Sequence, residues 1–401
     1  MIPAGRYITL LFCFLQFLGH AQKLSGIVLD KESSQSLVGA SVYINNTTIG
    51  AITDTKGNFS LKNIPGGQID VVISFVGYKT EVVGLRIAKD TIITVRLDFN
   101  ADLLTGVVVR PFEKNGWEHW GFLFKNLFIG TSTLGAKCDI MNPKDIRFYF
   151  SNADRTLIAD NTRPIIIINK SLGYRIEYDM QHFSYDERNQ ILMIEGYPFF
   201  TEMQGTKKQM ETWQKNRNIS YRGSLLHFIR SLSSDSTEQQ GFIVRIMKTM
   251  GSPERNRVNA IQQVNSNFSG FSEDSVRYFK IILHQTVFSV LDKNPINPAI
   301  FIHRNDDRSA GFLFEDKLYI TYPSEKVPPE YIGLTHNKDG SDSCISGIIH
   351  LDKYEPLIIF PSGNYSDPTN LIISGYWSWR EKTATLLPLD FVPDSVMFSK
   401  K

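Results

Sequence analysis

"TDTKGNFSLKNIPGG", residues 53–67, poses the question that decides the fold. The stretch could be an acidic cation loop, a catalytic loop or a β-hairpin. Asp54 suits the first position of a type I turn, where its carboxylate accepts backbone N–H groups. Gly57 supplies the left-handed conformation that lets the next strand begin. Phe59 and Leu61 then alternate inward while Asn58 and Ser60 face out. Pro65, Gly66 and Gly67 make the next reversal. An EF-hand loop would need several more oxygen ligands and a terminal Glu. The stretch reads as a structural hairpin.

Its surroundings agree. Between residues 23 and 97 the chain runs "KLSGIVLD", "LVGASVYINNT", "IGAITD", "NFSL", "QIDVVISFVGY", "TEVVGLRI" and "TIITVRL". These short, β-branched, often alternating segments are separated by turn residues, and no helical period intervenes. The pattern predicts an antiparallel β-sandwich.

With 401 residues the chain has room for two or three domains, and 42% hydrophobic against 21% charged residues is a folded balance. A net charge of +2 provides neither the basic field that nucleic acid requires nor an acidic cation store. In residues 1–21, Arg6 precedes an apolar run from Ile8 to Leu18, and "GHA" stands before Gln22. This reads as a secretory signal peptide cleaved after Ala21, and no later run approaches a membrane-spanning length. Cys13 would leave with it. Cys138 and Cys344 remain, too few for a disulfide scaffold or a four-cysteine zinc site, and whether they pair stays open.

The order "GIVLD……LVGASVYINNTTIGAITDTKGNFSLKNIPGG…VVISFVGYKT" resembles the carboxypeptidase-regulatory-like domain, a prealbumin-like β-sandwich common in envelope proteins of Bacteroidetes. Gly26, Asp30, Gly39, Ala40, Gly50, Thr53, Asp54, Gly57, Phe59, Pro65, Gly67, Gly77 and Tyr78 carry the likeness. The resemblance implies an accessory module without catalytic residues of its own, found at the front of TonB-dependent outer-membrane receptors and of many exported proteins. Residues 22–98 are therefore taken as the sandwich and 99–115 as a linker.

Residues 116–401 read as an α+β region, with antiparallel sheet(s) packed against a few helices. Trp117, Trp120, Phe124 and Phe128 recur at helical spacing, the mark of a helix buried on a sheet. From Asp145 to Met203 the segments form a β meander in which Tyr174, Ile176, Tyr178, Met180 and His182 share one face. A polar connector, "QGTKKQMETWQKNRN", leads to a second helix capped by Ser220 or Ser224, with Leu225, Phe228 and Leu232 inward and His227 packed and hydrogen-bonded. Further strands are expected at "GFIVRIM", "YFKIIL", "AIFIH", "KLYITY", "GIIHL", "LIIF" and "NLIISGYWSW", and an extended end at "LLPLDFVP". "WEHWGFLFKNLFIG", "NKSLGYRIEYDMQHF" and "YRGSLLHFIRSL" resemble the long companion region of Bacteroidetes proteins that carry this sandwich. That likeness implies no activity.

The chemistry-bearing residues are sparse. No His has Glu three residues on, as a metallocarboxypeptidase requires. His303 with Asp306 and His336 with Asp339 come closest to a metal set, provided the two loops converge. HExxH, Gly-x-Ser-x-Gly, P-loop and dinucleotide fingerprints are absent, and no cofactor is called for. The reading is a non-catalytic exported binding or adaptor module of the periplasm or outer-membrane periphery, whose sheet edges and exposed aromatics meet an envelope protein, beside a receptor or transport system. Two alternatives stand: a glycan module stacking sugars on Trp377 and Trp379, taken as strand neighbours sharing a face, and a metal-dependent hydrolase using His303 and His336.

Overall fold

A computed structural model describes residues 22–64, 67–100, 112–250, 253–284, 288–332 and 344–394. The signal peptide expected at 1–21, Pro65 and Gly66 of the second reversal, residues 101–111 of the expected linker, and both His336 and Asp339 lie outside the described residues.

β1 (Gln22–Asp30), β2 (Ser41–Ile44), β3 (Gly50–Ile52), β4 (Asn58–Ile64), β5 (Gly67–Ser74), β6 (Glu81–Ile87) and β7 (Thr91–Leu97) form the sandwich. One sheet runs β4-β1-β7 and the other β3-β2-β5-β6. Leu24, Val28, Phe59, Leu61, Val71 and Ile73 fill the core between them. The opening hairpin behaves as its sequence requires. Asp54 Oδ1 accepts the N–H groups of Lys56 and Asn58, both at 2.8 Å, and Gly57 has φ +76. One pairing departs from the antiparallel expectation: β7 lies parallel to β1, from Leu24 opposite Thr91 to Asp30 opposite Leu97. The chain crosses from β6 in one sheet to β7 in the other, and such a crossover lets neighbours run the same way.

A second layer pair follows. β8 (Cys138–Ile140), β9 (Ile146–Ser151), β10 (Thr156–Asn161), β11 (Ile165–Asn169) and β12 (Tyr174–Asp186) align in the order β8-β11-β12-β10-β9, with β13 (Ile191–Glu202) paired to β12. Helix α1 (Gly116–Phe128) lies on this sheet, with Phe124 and Phe128 wholly buried. Their rings meet Phe183 and Tyr178 at centroid distances of 4.9 Å in each case. Alternation along β12 holds through Met180, after which a bulge shifts the register. The bulge turns His182 out to solvent and Phe183 into the core, so His182 does not share the face of Tyr174.

The supposed polar connector is helix α2 (Lys207–Tyr221), opened by a capping box between Thr206 and Gln209. Helix α3 (Leu225–Ser233) has Ser224 as its cap. His227 on α3 is 1% exposed; its Nδ1 accepts the Gly223 N–H, and its Nε2 faces Gln240 Oε1. Burial pushes its pKa down to about 4, so it is neutral at ordinary pH.

Beyond α3 come β14 (Ile243–Met250), helices α4 (Pro253–Val264) and α5 (Glu273–Leu283), β15 (Phe288–Leu291), β16 (Ile302–Arg304), β17 (Ala310–Phe312) and β18 (Lys317–Lys326). Short helix α6 (Pro329–Ile332), β19 (Cys344–Leu351), β20 (Leu357–Ile359), β21 (Leu371–Gly375) and helix α7 (Tyr376–Arg380) complete the elements. Two sheets result, β15-β14-β18-β19-β21 and β16-β17-β20, and α3 shares their core through Phe228, Ile229 and Leu232. "YFKIIL", expected as a strand, ends α5; "AIFIH" is mostly a 3-10 turn before β16. Cys138 and Cys344 are not joined by a disulfide in the structure, which answers the pairing left open above.

The sandwich is docked on the α+β part through the outer face of its four-stranded sheet. Val72, outside the sandwich core, is 0% exposed, and the Tyr43 ring meets Phe199 at a tilt, with centroids 5.0 Å apart. The β2–β3 turn pairs with β13: Asn46 N–H donates to Pro198 O at 2.8 Å and Phe200 N–H to Thr47 O at 3.0 Å. Tyr43 Oη donates to Tyr197 O, and Thr80 Oγ1 to Asp179 Oδ2 at 2.7 Å. The terminal segment closes the seam, where Asp390 accepts the N–H and hydroxyl of Thr48 and Leu389 N–H donates to Asn46 O.

Two expectations follow. A Cβ on Gly347 in β19 would stand 2.1 Å from Trp377 Cδ2, whereas one on Gly311 in β17 would meet nothing nearer than 3.5 Å. Gly347→Ala should cost about 1–3 kcal/mol in denaturant unfolding, as overpacking does, and Gly311→Ala little; equal midpoints for the two variants would refute the packing argument. At the seam, burial raises the carboxyl pKa of Asp179 and of Asp70 above the ordinary 3.8. The stability tied to these groups is fully present below that ordinary value and is lost as pH rises through their elevated folded values. Asp179→Asn removes one such loss, so its Tm should gain on wild type as pH rises above the ordinary carboxylate value; a gap constant with pH would exclude the mechanism.

Candidate functional site

With the outer face of the four-stranded sheet covered, the sandwich still presents an open flank where its two sheets end. β6 closes one sheet and β7 the other, and among the described residues neither has a partner strand on its outer side. The two edges border a groove of about 350 Å³ lined by Glu81 and Val83 from β6 and by Ile93, Thr94, Val95 and Arg96 from β7. Alternation along "TIITVRL" sends Ile93, Val95 and Leu97 toward the core and leaves Ile92, Thr94 and Arg96 exposed, with Ile92 at 84%. One end of the flank is sealed by Tyr78 bridging to Phe99 and by Lys79 N–H donating to Asp98 O at 2.9 Å. The edges are therefore held at fixed separation. Arg86 on β6 pairs with Asp307 at 3.3 Å and ties this side of the sandwich to the β16–β17 hairpin.

Chemically, such a flank offers main-chain N–H and C=O groups, an apolar floor and opposite charges, Glu81 and Arg96, at its rim. This is equipment for an extended peptide, which gains affinity by adding to a sheet edge and specificity from alternate side chains. Edges as binding surfaces were expected from the sequence; which edges, and that they face each other across a groove, were not. The alternating exposed residues of the seventh segment were the available signal.

The residues singled out in the sequence are placed elsewhere. Trp377 and Trp379 lie on α7, not on a strand, because the chain turns at Gly375 with φ +71. Two residues apart on a helix, they project about 200° from one another and share no face. Trp377 is 1% exposed, its Nε1–H donates to Gly223 O at 2.8 Å, and Gly347 abuts its ring. No indole face is open there for a sugar. Trp379 is half-buried beside Tyr331 and Tyr376 and donates to Thr131 Oγ1. His303 and Asp306 are exposed, on β16 and in the turn after it. Among the described residues, no group of three or more His, Cys, Asp or Glu is gathered as a metal set, and no helix is long and apolar enough to cross a membrane.

The family described as CarboxypepD_reg-like domain matches residues 24–109. The TonB-dependent receptor SusC of Bacteroides thetaiotaomicron is 35% identical over 98 residues, which is 24% of this chain and 9% of the receptor. The match thus spans less than a tenth of that receptor's length. Among solved structures, a DUF3823 family protein from Bacteroides uniformis is 9% identical with a TM-score of 0.15, covering 85% of this chain and 99% of that one. Another from Bacteroides ovatus, also 9% identical, has a TM-score of 0.17 over 46% of this chain and 82% of its own. Scores of this size do not establish a common fold. The seven-stranded sandwich, its hairpin chemistry and the family match agree: the N-terminal part of this chain is a CarboxypepD_reg-like domain.

Proposed function

We propose that this protein is a non-catalytic binding or adaptor component of the bacterial envelope, exported to the periplasmic side of the outer membrane. In this reading the sandwich engages an extended segment of a receptor or transport protein along β6 and β7, and the α+β part holds the sandwich in one orientation. The observation that carries it is the pair of unpaired edge strands flanking a fixed groove. The likeness of the sandwich region to part of a TonB-dependent receptor supports the envelope setting. Pairing to a pre-ordered edge spares the protein the ordering cost that a flexible binder carries.

The test is a photo-crosslinking residue placed at Thr94 on β7, with Tyr354, 70% exposed on the α+β part, as the control position. After irradiation in the native envelope, Thr94 should yield a reproducible adduct with an outer-membrane receptor or transport protein and Tyr354 should not. Recovery of the protein alone from the Thr94 position would sink the adaptor reading.

A further inference from the structure

A second concavity lies on the α+β part, away from the sandwich groove. Arg230 of α3, Arg304 at the end of β16 and Arg308 in the following turn converge on a cleft of about 380 Å³, together with Ser233, Asn305 and Ser309. Among the described residues no carboxylate lines it. Three guanidiniums around one concavity repel each other unless a counter-charge sits among them, and the surrounding bonds supply only part of that charge.

Arg230 is engaged by backbone carbonyls and by the Tyr221 ring, its Nε donating to Ser362 O and its terminal nitrogens to Leu389 O and Phe391 O. Arg304 donates to Ser233 O at 2.8 Å, and its nearest carboxylate, Asp235, stands 4.0 Å off and is mostly exposed. The Asp307 carboxylate is turned away to the Ser309 N–H and hydroxyl and to Arg86. The Arg308 side chain has no hydrogen-bond or ion-pair partner among the described residues, and its backbone is held at φ 67, with Arg308 N–H donating to Asn305 O. An independent sign comes from Ser233, which is 9% exposed and whose buried Oγ also lacks a partner.

We propose that this cleft binds a tetrahedral oxyanion of the phosphate or sulfate class, free or carried on a larger molecule. Guanidiniums arriving from a helix, a strand end and a turn approach one point from several directions, and hydroxyl and amide groups stand between them. That arrangement matches an anion with oxygens on all sides better than a planar carboxylate, which one bidentate arginine would satisfy. Arg304 and Arg308 supply the charge, Ser233 a hydroxyl, and Arg230 stiffens the wall. The assignment is independent of the adaptor reading.

Titration of the full protein with inorganic phosphate, inorganic sulfate and acetate, by calorimetry at low ionic strength, tests it. Phosphate or sulfate should bind saturably and acetate should not. Arg308→Ala should weaken binding tenfold or more and leave Tm unchanged, because that side chain makes no internal bond; Arg308→Lys should fall between. Absence of saturable binding by either tetrahedral anion, or Arg308→Ala binding like wild type, would overturn the proposal. Vesicles of phosphatidylglycerol identify the source: competition with phosphate, absent with phosphatidylcholine, assigns a lipid headgroup, and failure to compete assigns a soluble phosphate or sulfate.

Discussion

Much of the α+β part hangs on guanidiniums that bond to backbone carbonyls, Arg217 adding an ion pair to Glu202 at 2.8 Å. Arg380, 6% exposed, donates to the oxygens of Ile219, Ser220 and Arg222, the carbonyls left over where α2 ends. Arg217 on the same helix reaches Leu172 O and Gly173 O and lies 3.9 Å above the Tyr174 ring. Arg230 holds the terminal segment at Leu389 and Phe391. Hydrogen bonds to charged donors contribute roughly 1.5–3 kcal/mol each, and a planar fork satisfies several carbonyls at once. Three side chains thus tie α7 to the end of α2, α2 to the turn before β12, and α3 to the terminal segment.

That terminal segment decides where the sandwich sits. Held by Arg230 on one side, it presents Asp390 to Thr48 and Leu389 N–H to Asn46 on the other. The β2–β3 turn is clasped between this segment and β13, so the outer face of the β3-β2-β5-β6 sheet is spent on docking. Gly50 takes part by lacking a Cβ, which would stand 2.5 Å from the Phe199 ring. One sheet face buried against the neighbour and one flank left open is a division of labour that follows from the seam alone.

Local alternation and turn chemistry made the sandwich legible. Asp54 and Gly57 act within their own hairpin, and each strand shows its two faces in its own residues. The parallel β1–β7 pairing was not legible, because it depends on which sheet the chain crosses to. Helix α2 escaped because Trp213, Arg217 and Tyr221 are its few large buried residues in an otherwise polar run; its capping box, Thr206 and Gln209, was the signal on offer. "YFKIIL" is too short and too apolar for periodicity to separate strand from helix, although Ser272 followed by Glu273 and Asp274 marks a helix start. Neither the groove nor the arginine cleft has a sequence motif, since Arg230 and Arg304 are brought together only by the packing of α3 on β16.

An edge strand left open invites indiscriminate pairing, and proteins usually blunt such edges with charge, proline or a covering loop. Here β6 and β7 carry Glu81, Arg86 and Arg96 along the rim, and the flank is closed at the Tyr78–Phe99 end. Those charges penalise a strand whose own charges do not complement them, while the apolar floor of Val83, Ile93 and Val95 rewards one that places alternate hydrophobic residues inward. In the proposed reading, selectivity comes from repulsion at the rim as much as from attraction along the floor. The seam contributes as well: with the sandwich seated on the α+β part, a segment that pairs with the edge must approach from the side that part leaves free.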